Sequence, residues 1–384
     1  MHRGAHGMIQ SAVLAAMFLS VCTSPAHAID APKPQPPPST PEQAQRVAVT
    51  PTDQHAFYAT MQRAAHTRML RGLKVAQTAI DALARGEADV AVAALSTPAA
   101  QGAQDANVAL VRVQHWCNRI ASSRPIDPQA KIAKLSPNLS TERSAKAAGV
   151  IHAEAKFLLQ ARESCGKSEF DYRGIEARLR AAADAGHPAS AVELAQFVRD
   201  PKQREALLQS AIDKGYAPAM YAVATNLLVA VQRGQTTENV SSIRLLLKQA
   251  GRSLPKAKLD LANCMALGCD GHPADAPTAR AFGLDAARDG EPTAFVSMVR
   301  MPWGGRLTRI QHLAWQYFGD RLNEAGCTGE AYIPTATVHA QTIAMLEKGQ
   351  DEKTLAAAKA QAEDLWRDNS VRAMAEQGCA EESL

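Results

Sequence analysis

The chain is poor in aromatic residues and, beyond its first residues, has no long apolar run. Aromatic side chains make up 5% of the 384 residues, although 46% of the residues are hydrophobic. Few rings and abundant alanine favour close helix packing and argue against a large cofactor pocket lined by rings. After residue 28, no apolar stretch approaches the ~20 residues that a membrane-spanning helix needs.

Charge and catalytic motifs are also sparse. The formal net charge of +4 is small for this length, and no dense basic run with interleaved aromatics predicts a nucleic-acid face. The sequence has no Gly-x-Ser-x-Gly elbow, no phosphate-binding glycine loop and no His-Glu-x-x-His zinc motif. We therefore predict no catalytic residues, no metal site and no cofactor. No run of alternating branched residues predicts a strand, so the expected fold class is all-α.

The first 28 residues have the features of a secretory signal peptide. Arg3 gives a positive start, residues 8–21 are mostly apolar, and a small-x-small cleavage site ends at Ala28. We predict cleavage between Ala28 and Ile29 and a periplasmic or secreted mature chain. Lipid attachment at Cys22 is disfavoured, because the residue before it is a branched valine rather than a small residue.

Five glycines mark a repeat after the N-terminal helical region. They lie about 29 to 39 residues apart, with a small residue mostly found four positions before and after each one and a larger apolar residue eight positions after. Positions four apart share one face of a helix, so two helices could pack closely across a turn closed by glycine. The pattern predicts helical hairpins stacked into a solenoid, and an alanine-rich bundle is the alternative. The glycines are Gly149, Gly186, Gly215, Gly251 and Gly290.

Helix-start residues and composition set the expected element boundaries. Aspartate or serine, in two cases with proline close behind, predicts first helices of the hairpins over residues 172–185, 201–214, 243–250 and 276–289. One helix is expected from Thr52 or Asp53 to Gly86, then helices 88–95 and 104–120 on either side of Pro98. The C-terminal part predicts helices 310–323, 334–348 and 351–378. The predicted regions are a proline-rich disordered linker 29–51, an N-terminal helical region 52–121, repeats 142–300 and a C-terminal helical region 301–384.

Three segments carry a resemblance to a known family. Residues 182–195 (AADAGHPASAVELA), 211–222 (AIDKGYAPAMYA) and 286–295 (AARDGEPTAF) resemble the Sel-one-like repeat, a tetratricopeptide relative built from stacked helical hairpins. The middle copies lack the second glycine that the family usually has after its second helix. The resemblance implies an α/α solenoid that acts as a protein–protein interaction scaffold or adaptor in the cell envelope. We expect its concave face, formed by the first helices, to bind a protein or peptide partner.

The candidate partner contacts are aromatic residues near turns. They are Tyr216, Tyr221 and Trp303, of which Trp303 lies in a segment, Met-Pro-Trp-Gly-Gly, that predicts a flexible turn. Trp315 is expected in the core instead. The resemblance also implies an alternative, because some cysteine-rich members of the family have been linked to binding or hydrolysing β-lactams. The alternative is thus an envelope enzyme or binder for peptidoglycan-like or β-lactam ligands, although the family's regular cysteine pairs are missing. A serine, a histidine and an acid converging in the groove would favour it.

Six cysteines follow the leader, and an even number in an exported chain predicts disulfides. Pairing neighbours in helical order joins Cys117 to Cys165, Cys264 to Cys269 and Cys327 to Cys379. Gly268 would let the helix end between the second pair. Other pairings stay open, and reduced buried cysteines are the alternative.

Overall fold

The described part of this computed structural model covers residues 51–379, apart from 136, 138, 171, 236–239, 270, 330 and 331. It contains seventeen α-helices, one short 3-10 helix and no strand, which confirms the all-α class. None of these helices is long and apolar enough to cross a membrane. The predicted cleavage site at Ala28 and Ile29, the cysteine at position 22 and nearly all of the linker lie outside the described residues.

The N-terminal helices differ from the prediction in two places. The expected single helix to Gly86 is wrong, because α1 ends at Met69 and the chain turns at Gly72, whose φ is +78°. Pro98 lies inside α3 rather than between two helices. The helices are α1 (Pro51–Met69), α2 (Gln77–Ala84), α3 (Ala88–Ala100), α4 (Gln104–Ser122), α5 (Pro128–Ile132) and α6 (Thr141–Lys167).

Four helical hairpins follow, and each first helix begins within one residue of its predicted position. Asp200 and Asp275 cap two of these helices through their side chains, as expected from the sequence. The predicted stack of hairpins is therefore confirmed. The pairs are α7 (Tyr172–Asp184) with α8 (Pro188–Phe197), α9 (Pro201–Asp213) with α10 (Ala217–Gln232), α11 (Ser242–Ala250) with α12 (Pro255–Leu267), and α13 (Ala276–Arg288) with α14 (Pro292–Arg300).

Three of the five repeat glycines close a hairpin in the left-handed region: Gly186, Gly215 and Gly290 have φ of +87°, +75° and +73°. Gly149 instead lies inside the continuous helix α6, so the first predicted copy is not a hairpin. A proline follows each of the other four glycines within four residues, and none follows Gly149. Gly251 has φ of −63°, and its small size matters instead, since a Cβ there would lie 3.0 Å from the Leu247 carbonyl oxygen.

Each second helix packs on the first helix of the next hairpin, namely α8 on α9, α10 on α11 and α12 on α13. Helix α8 also contacts α10, and α12 also contacts α14. Helix α9, a first helix, is by contrast exposed along most of its length. Two hydrophobic clusters fill the interior and adjoin on α10, where Ala219 belongs to the first cluster and Met220 to the second.

The last three helices bring the end of the described chain back to its start. They are α15 (Arg309–Glu324), α16 (Tyr332–Glu347) and α17 (Glu352–Gln377), close to their predicted bounds, and α17 contacts α15, α13 and α1. Arg68 of α1 donates to the carbonyl oxygens of Cys327 at 2.9 Å and Gln377 at 3.1 Å. Lys146 of α6 pairs with Glu324 of α15 at 2.6 Å. The first and last helices therefore pack against each other.

Three disulfides join the cysteines in the predicted pairs. Cys117–Cys165 ties α4 to α6, and Cys264–Cys269 spans the end of α12, where Gly268 is left-handed. Cys327–Cys379 fastens the end of α17 beside Arg68, with a Cα–Cα distance of 5.1 Å. The two long-range disulfides therefore link segments that are distant in sequence, whereas the third is local.

We predict that the disulfides differ in their contribution to stability. Replacing Cys327 and Cys379 with alanine should lower the free energy of unfolding by ~4 kcal/mol, since that disulfide closes a loop of 52 residues. The same change at Cys264 and Cys269, which are five residues apart, should cost ~2 kcal/mol. Denaturant unfolding of both variants beside the wild type measures this order. A larger loss for the local pair would contradict it.

Acid should destabilise the fold through His66. This side chain is buried against Trp116, with ring centroids 5.0 Å apart, and burial lowers the pKa of His66 to about 4. In the unfolded chain its pKa is near 6.5, so protons favour unfolding as the pH falls from about 6.5 to about 4. The stability contribution is complete above pH 6.5, and about 3 kcal/mol is lost across this window.

The test compares unfolding free energies at several pH values for wild type, His66→Gln and His152→Gln. His152 is an exposed histidine on α6, so its replacement should preserve the pH dependence. His66→Gln should make the curve less steep between about pH 6.5 and 4, whereas His339, whose pKa burial lowers to about 3, keeps part of the slope. An unchanged slope in the His66 variant would refute the assignment.

Candidate functional site

Tyr216 lies at the start of α10, directly after the left-handed Gly215. Its ring is half-buried, and Arg112 of α4 donates from Nη2 to the phenol oxygen at 3.4 Å. Burial raises the pKa of Tyr216, with the Arg112 charge acting in the opposite direction. The tyrosine therefore stays neutral and is fixed by its neighbour.

A buried ion pair supports Tyr216 from behind. Arg112 Nε lies 2.7 Å from Glu193 Oε1 of α8, and Arg112 also donates to the Met69 carbonyl oxygen at 2.9 Å. Burial opposes the charge of Arg112, but Glu193 outweighs it and raises the pKa of the guanidinium. Gln196 donates to the second Glu193 oxygen at 2.9 Å. These satisfied groups hold α1, α4, α8 and α10 in register.

An aromatic contact lies next to the Arg112–Glu193 pair, between α8 and α4. Phe197, which is 36% exposed, stacks on His115 of α4 with a centroid distance of 5.9 Å. Burial lowers the pKa of His115, although the Glu193 carboxylate partly opposes the shift. Phe197 is thus a partly exposed ring beside the Arg112–Glu193 pair.

Tyr221 forms the second part of the site, one turn further along α10. Its hydroxyl donates to Asp260 Oδ2 of α12 at 2.8 Å, and Lys256 pairs with the other oxygen of Asp260. Burial raises the pKa of Tyr221 above its usual range, and Asp260 and Glu291 act in the same direction. For Lys256, burial favours the neutral amine, but Asp260 outweighs it and raises the pKa.

We call these groups on α4, α8, α10 and α12 the tyrosine row. It consists of Arg112, His115, Glu193, Phe197, Tyr216, Tyr221, Lys256 and Asp260. Tyr216 and Tyr221 stay predicted partner contacts, and the sequence carries no signal for the groups that support them, since Arg112 and Glu193 are 81 residues apart. The row lies mainly on second helices, whereas the repeat pattern predicts a binding face formed by the first helices.

The structure corrects the prediction for Trp303. Its side chain is fully buried, and the indole nitrogen donates to Asn263 Oδ1 at 3.0 Å. A Cβ at Gly283 would lie 2.7 Å from the indole ring, so this glycine provides the space that the ring fills. Trp303 is therefore a core residue, as is Trp315, which was expected to be buried and is 5% exposed.

One serine, one histidine and one acid do converge, at the start of α8. His187 Nδ1 lies 2.8 Å from Ser190 Oγ, and His187 Nε2 lies 3.2 Å from Asp105 Oδ1. However, Ser190 has no exposed surface, and its backbone amide donates to His187 in an N-cap. Asp105 also accepts from the Lys74 amide. A nucleophile must reach its substrate, so this arrangement supports a capping network rather than hydrolysis.

Two clefts in the described part of the chain are lined by residues outside the tyrosine row. A shallow cleft of about 240 Å³ lies between α1, α2 and α6, lined by Tyr58 and Phe157 among others. A smaller one of about 90 Å³ lies between α15 and α17. No group of three His, Cys, Asp or Glu side chains in the described part is placed to hold a metal ion.

Comparisons with known proteins add little to this geometry. No protein-family model matches the chain, and no curated protein matches it. Among solved structures, the chain is similar to a protective antigen present in uropathogenic Escherichia coli strains and described as displaying an SLR fold. The identity is 14%, the TM-score is 0.33, and the match covers 78% of this chain and 76% of the antigen.

We predict that the Trp303 side chain stabilises the fold. Trp303→Ala should lower the free energy of unfolding by ~3–5 kcal/mol, because it empties the space over Gly283 and leaves Asn263 without its donor. Trp303→Phe should cost less, since it keeps most of the ring. Denaturant unfolding checks both changes, and an alanine variant as stable as the wild type would show that the indole is not a core group.

Proposed function

We propose that this chain is a helical-repeat scaffold that binds a protein or peptide partner along the tyrosine row. The observation that carries the proposal is the placement of Tyr216, Tyr221 and Phe197 on adjacent second helices, with their polar neighbours already paired. Helical-repeat stacks commonly use such extended surfaces for partners. Tyrosine is enriched among residues that dominate binding energy at protein interfaces.

Preorganisation of the row supports this proposal. Arg112 and Asp260 each hold one tyrosine hydroxyl, so the rings are oriented before a partner arrives. A side chain that is already fixed loses less conformational entropy on binding. The Arg112–Glu193 and Lys256–Asp260 pairs are satisfied within the chain, so no unpaired charge would be stripped of water at these positions.

The proposed setting is an exported one, in the periplasm or outside the cell. Three disulfides support an oxidising compartment. The signal peptide predicted to end at Ala28 agrees with this setting, and the mature chain would then begin at Ile29. The partner would accordingly be a protein or peptide of the cell envelope.

Affinity capture from envelope extract tests the proposal. The mature chain from Ile29, with its disulfides intact, is compared with the Tyr216→Ala, Tyr221→Ala double variant. Truncating a true hot spot costs ~2 kcal/mol or more, so a partner captured by the wild type should be lost or much reduced. The captured protein is identified, purified and titrated against both chains.

The matched control is Tyr317→Ala. Tyr317 is a half-buried tyrosine on α15 whose hydroxyl also donates to a carboxylate, that of Glu347, but it lies outside the row. It should retain the partner, and circular dichroism confirms that each variant is folded. Equal capture by all three chains would reject the row as the binding surface. Hydrolysis of a β-lactam or of cell-wall fragments that is lost in Ser190→Ala would replace the scaffold with the enzyme alternative.

A further inference from the structure

The turn after α14 is rigidly built, although its sequence predicts flexibility. Trp303 anchors it in the core through Asn263 and Gly283. Gly304 packs against the end of α14, so tightly that a Cβ there would lie 1.8 Å from the Met298 carbonyl oxygen. Only glycine fits at this close approach. The chain therefore folds back on α14 before α15 begins.

Two further side chains fix the backbone of the turn. Arg280 of α13 donates from Nε to the Trp303 carbonyl oxygen at 3.0 Å, and His312 of α15 donates from Nε2 to the Gly304 carbonyl oxygen at 3.0 Å. Burial lowers the pKa of His312, so this donor is neutral near pH 7. The turn is thus held by α12, α13, α14 and α15 together.

This rigid turn displays arginines without counter-charges. Arg300, Arg306 and Arg309 are all exposed, and no aspartate or glutamate occurs between Glu291 and Asp320. Within the described residues, none of these three arginines forms an ion pair, in contrast to the arginines paired elsewhere on the surface. We call Arg300, Arg306, Arg309 and the supporting Arg280 the arginine turn.

Two other features distinguish the arginine turn from an ordinary solvated face. Nη2 of Arg280 is buried and has no hydrogen-bond partner among the described residues, so one guanidinium donor is unsatisfied beneath the turn. Val299, which is 38% exposed, and the exposed Pro302 lie among the arginines. Arginine mixed with apolar side chains is typical of protein interfaces.

We propose that the arginine turn binds an acidic segment of a protein partner. Guanidinium groups form paired hydrogen bonds with carboxylates, and a fixed turn presents them with little entropic cost. A membrane surface fits less well, since lipid-binding basic segments carry about four to eight lysines or arginines, and three are exposed here. This surface is distinct from the tyrosine row and goes beyond the function proposed for that row.

Binding of a labelled oligoglutamate peptide, followed by fluorescence anisotropy, tests this inference on the mature chain with intact disulfides. The Arg300→Gln, Arg306→Gln, Arg309→Gln variant should bind about tenfold more weakly or worse. Binding to the wild type should weaken as salt is added, because exposed charges are screened. All three positions are exposed, so the variant should stay folded, and circular dichroism checks this.

The matched control removes the same charge elsewhere. Arg85→Gln, Arg180→Gln, Arg367→Gln alters three exposed arginines that are each paired with a nearby acid, and it should bind oligoglutamate like the wild type. The Tyr216→Ala, Tyr221→Ala variant should also bind normally, which separates this inference from the proposed function. Equal loss in both arginine variants would mean that only net charge matters and would overturn the proposal. Binding to vesicles with anionic lipid headgroups but not to oligoglutamate would also overturn it.

Discussion

The fold depends on the contact between the first and the last helix of the described chain. Arg68 donates to the carbonyl oxygen of Gln377, the last residue of α17, where carbonyls lack helical partners and a cation is favoured. It also reaches the Cys327 carbonyl oxygen, beside the disulfide. Gly378 lies so close to α1 that a Cβ would approach Thr67 to 2.5 Å. The end faces of an open solenoid must be polar or covered. Here α4 packs on the first hairpin, α15 and α17 pack on the last one, and α17 also contacts α1.

How far the sequence predicts this fold depends on how local each signal is. Caps and left-handed glycines act within a few residues, so the four hairpins and the three C-terminal helices were predictable. The hairpin predicted at Gly149 does not form, because a glycine alone does not end a helix and no proline follows it to stop α6. The break after Met69 was missed for the opposite reason, since the apolar stripe of α1 continues across Gly72 and resembles one long helix.

The candidate site shows the same limit more strongly. Tyr216 could be found because it adjoins a predicted turn, yet its supporting pair, Arg112 and Glu193, is brought together only by tertiary packing. The prediction of an exposed Trp303 was wrong because an aromatic residue beside two glycines is typical of a flexible surface turn. The groups that receive the ring, Asn263 and Gly283, lie on other helices and have no signature in sequence. Whether an aromatic side chain is buried therefore depends on residues that are distant from it in sequence.

Charge placement separates the two surfaces of the protein. On the tyrosine row each charged group already has a partner, so the affinity of the proposed partner would come from the rings and from apolar burial, with little dependence on salt. On the arginine turn the three exposed arginines form no ion pair within the described chain, so the proposed recognition of an acidic segment would be electrostatic and sensitive to salt. A partner that used both surfaces would gain from linkage of two modest contacts on one rigid body. The packing of α17 against α1 and α13 supports that rigidity, because it ties the C-terminal helices to the N-terminal helices and to the last hairpin.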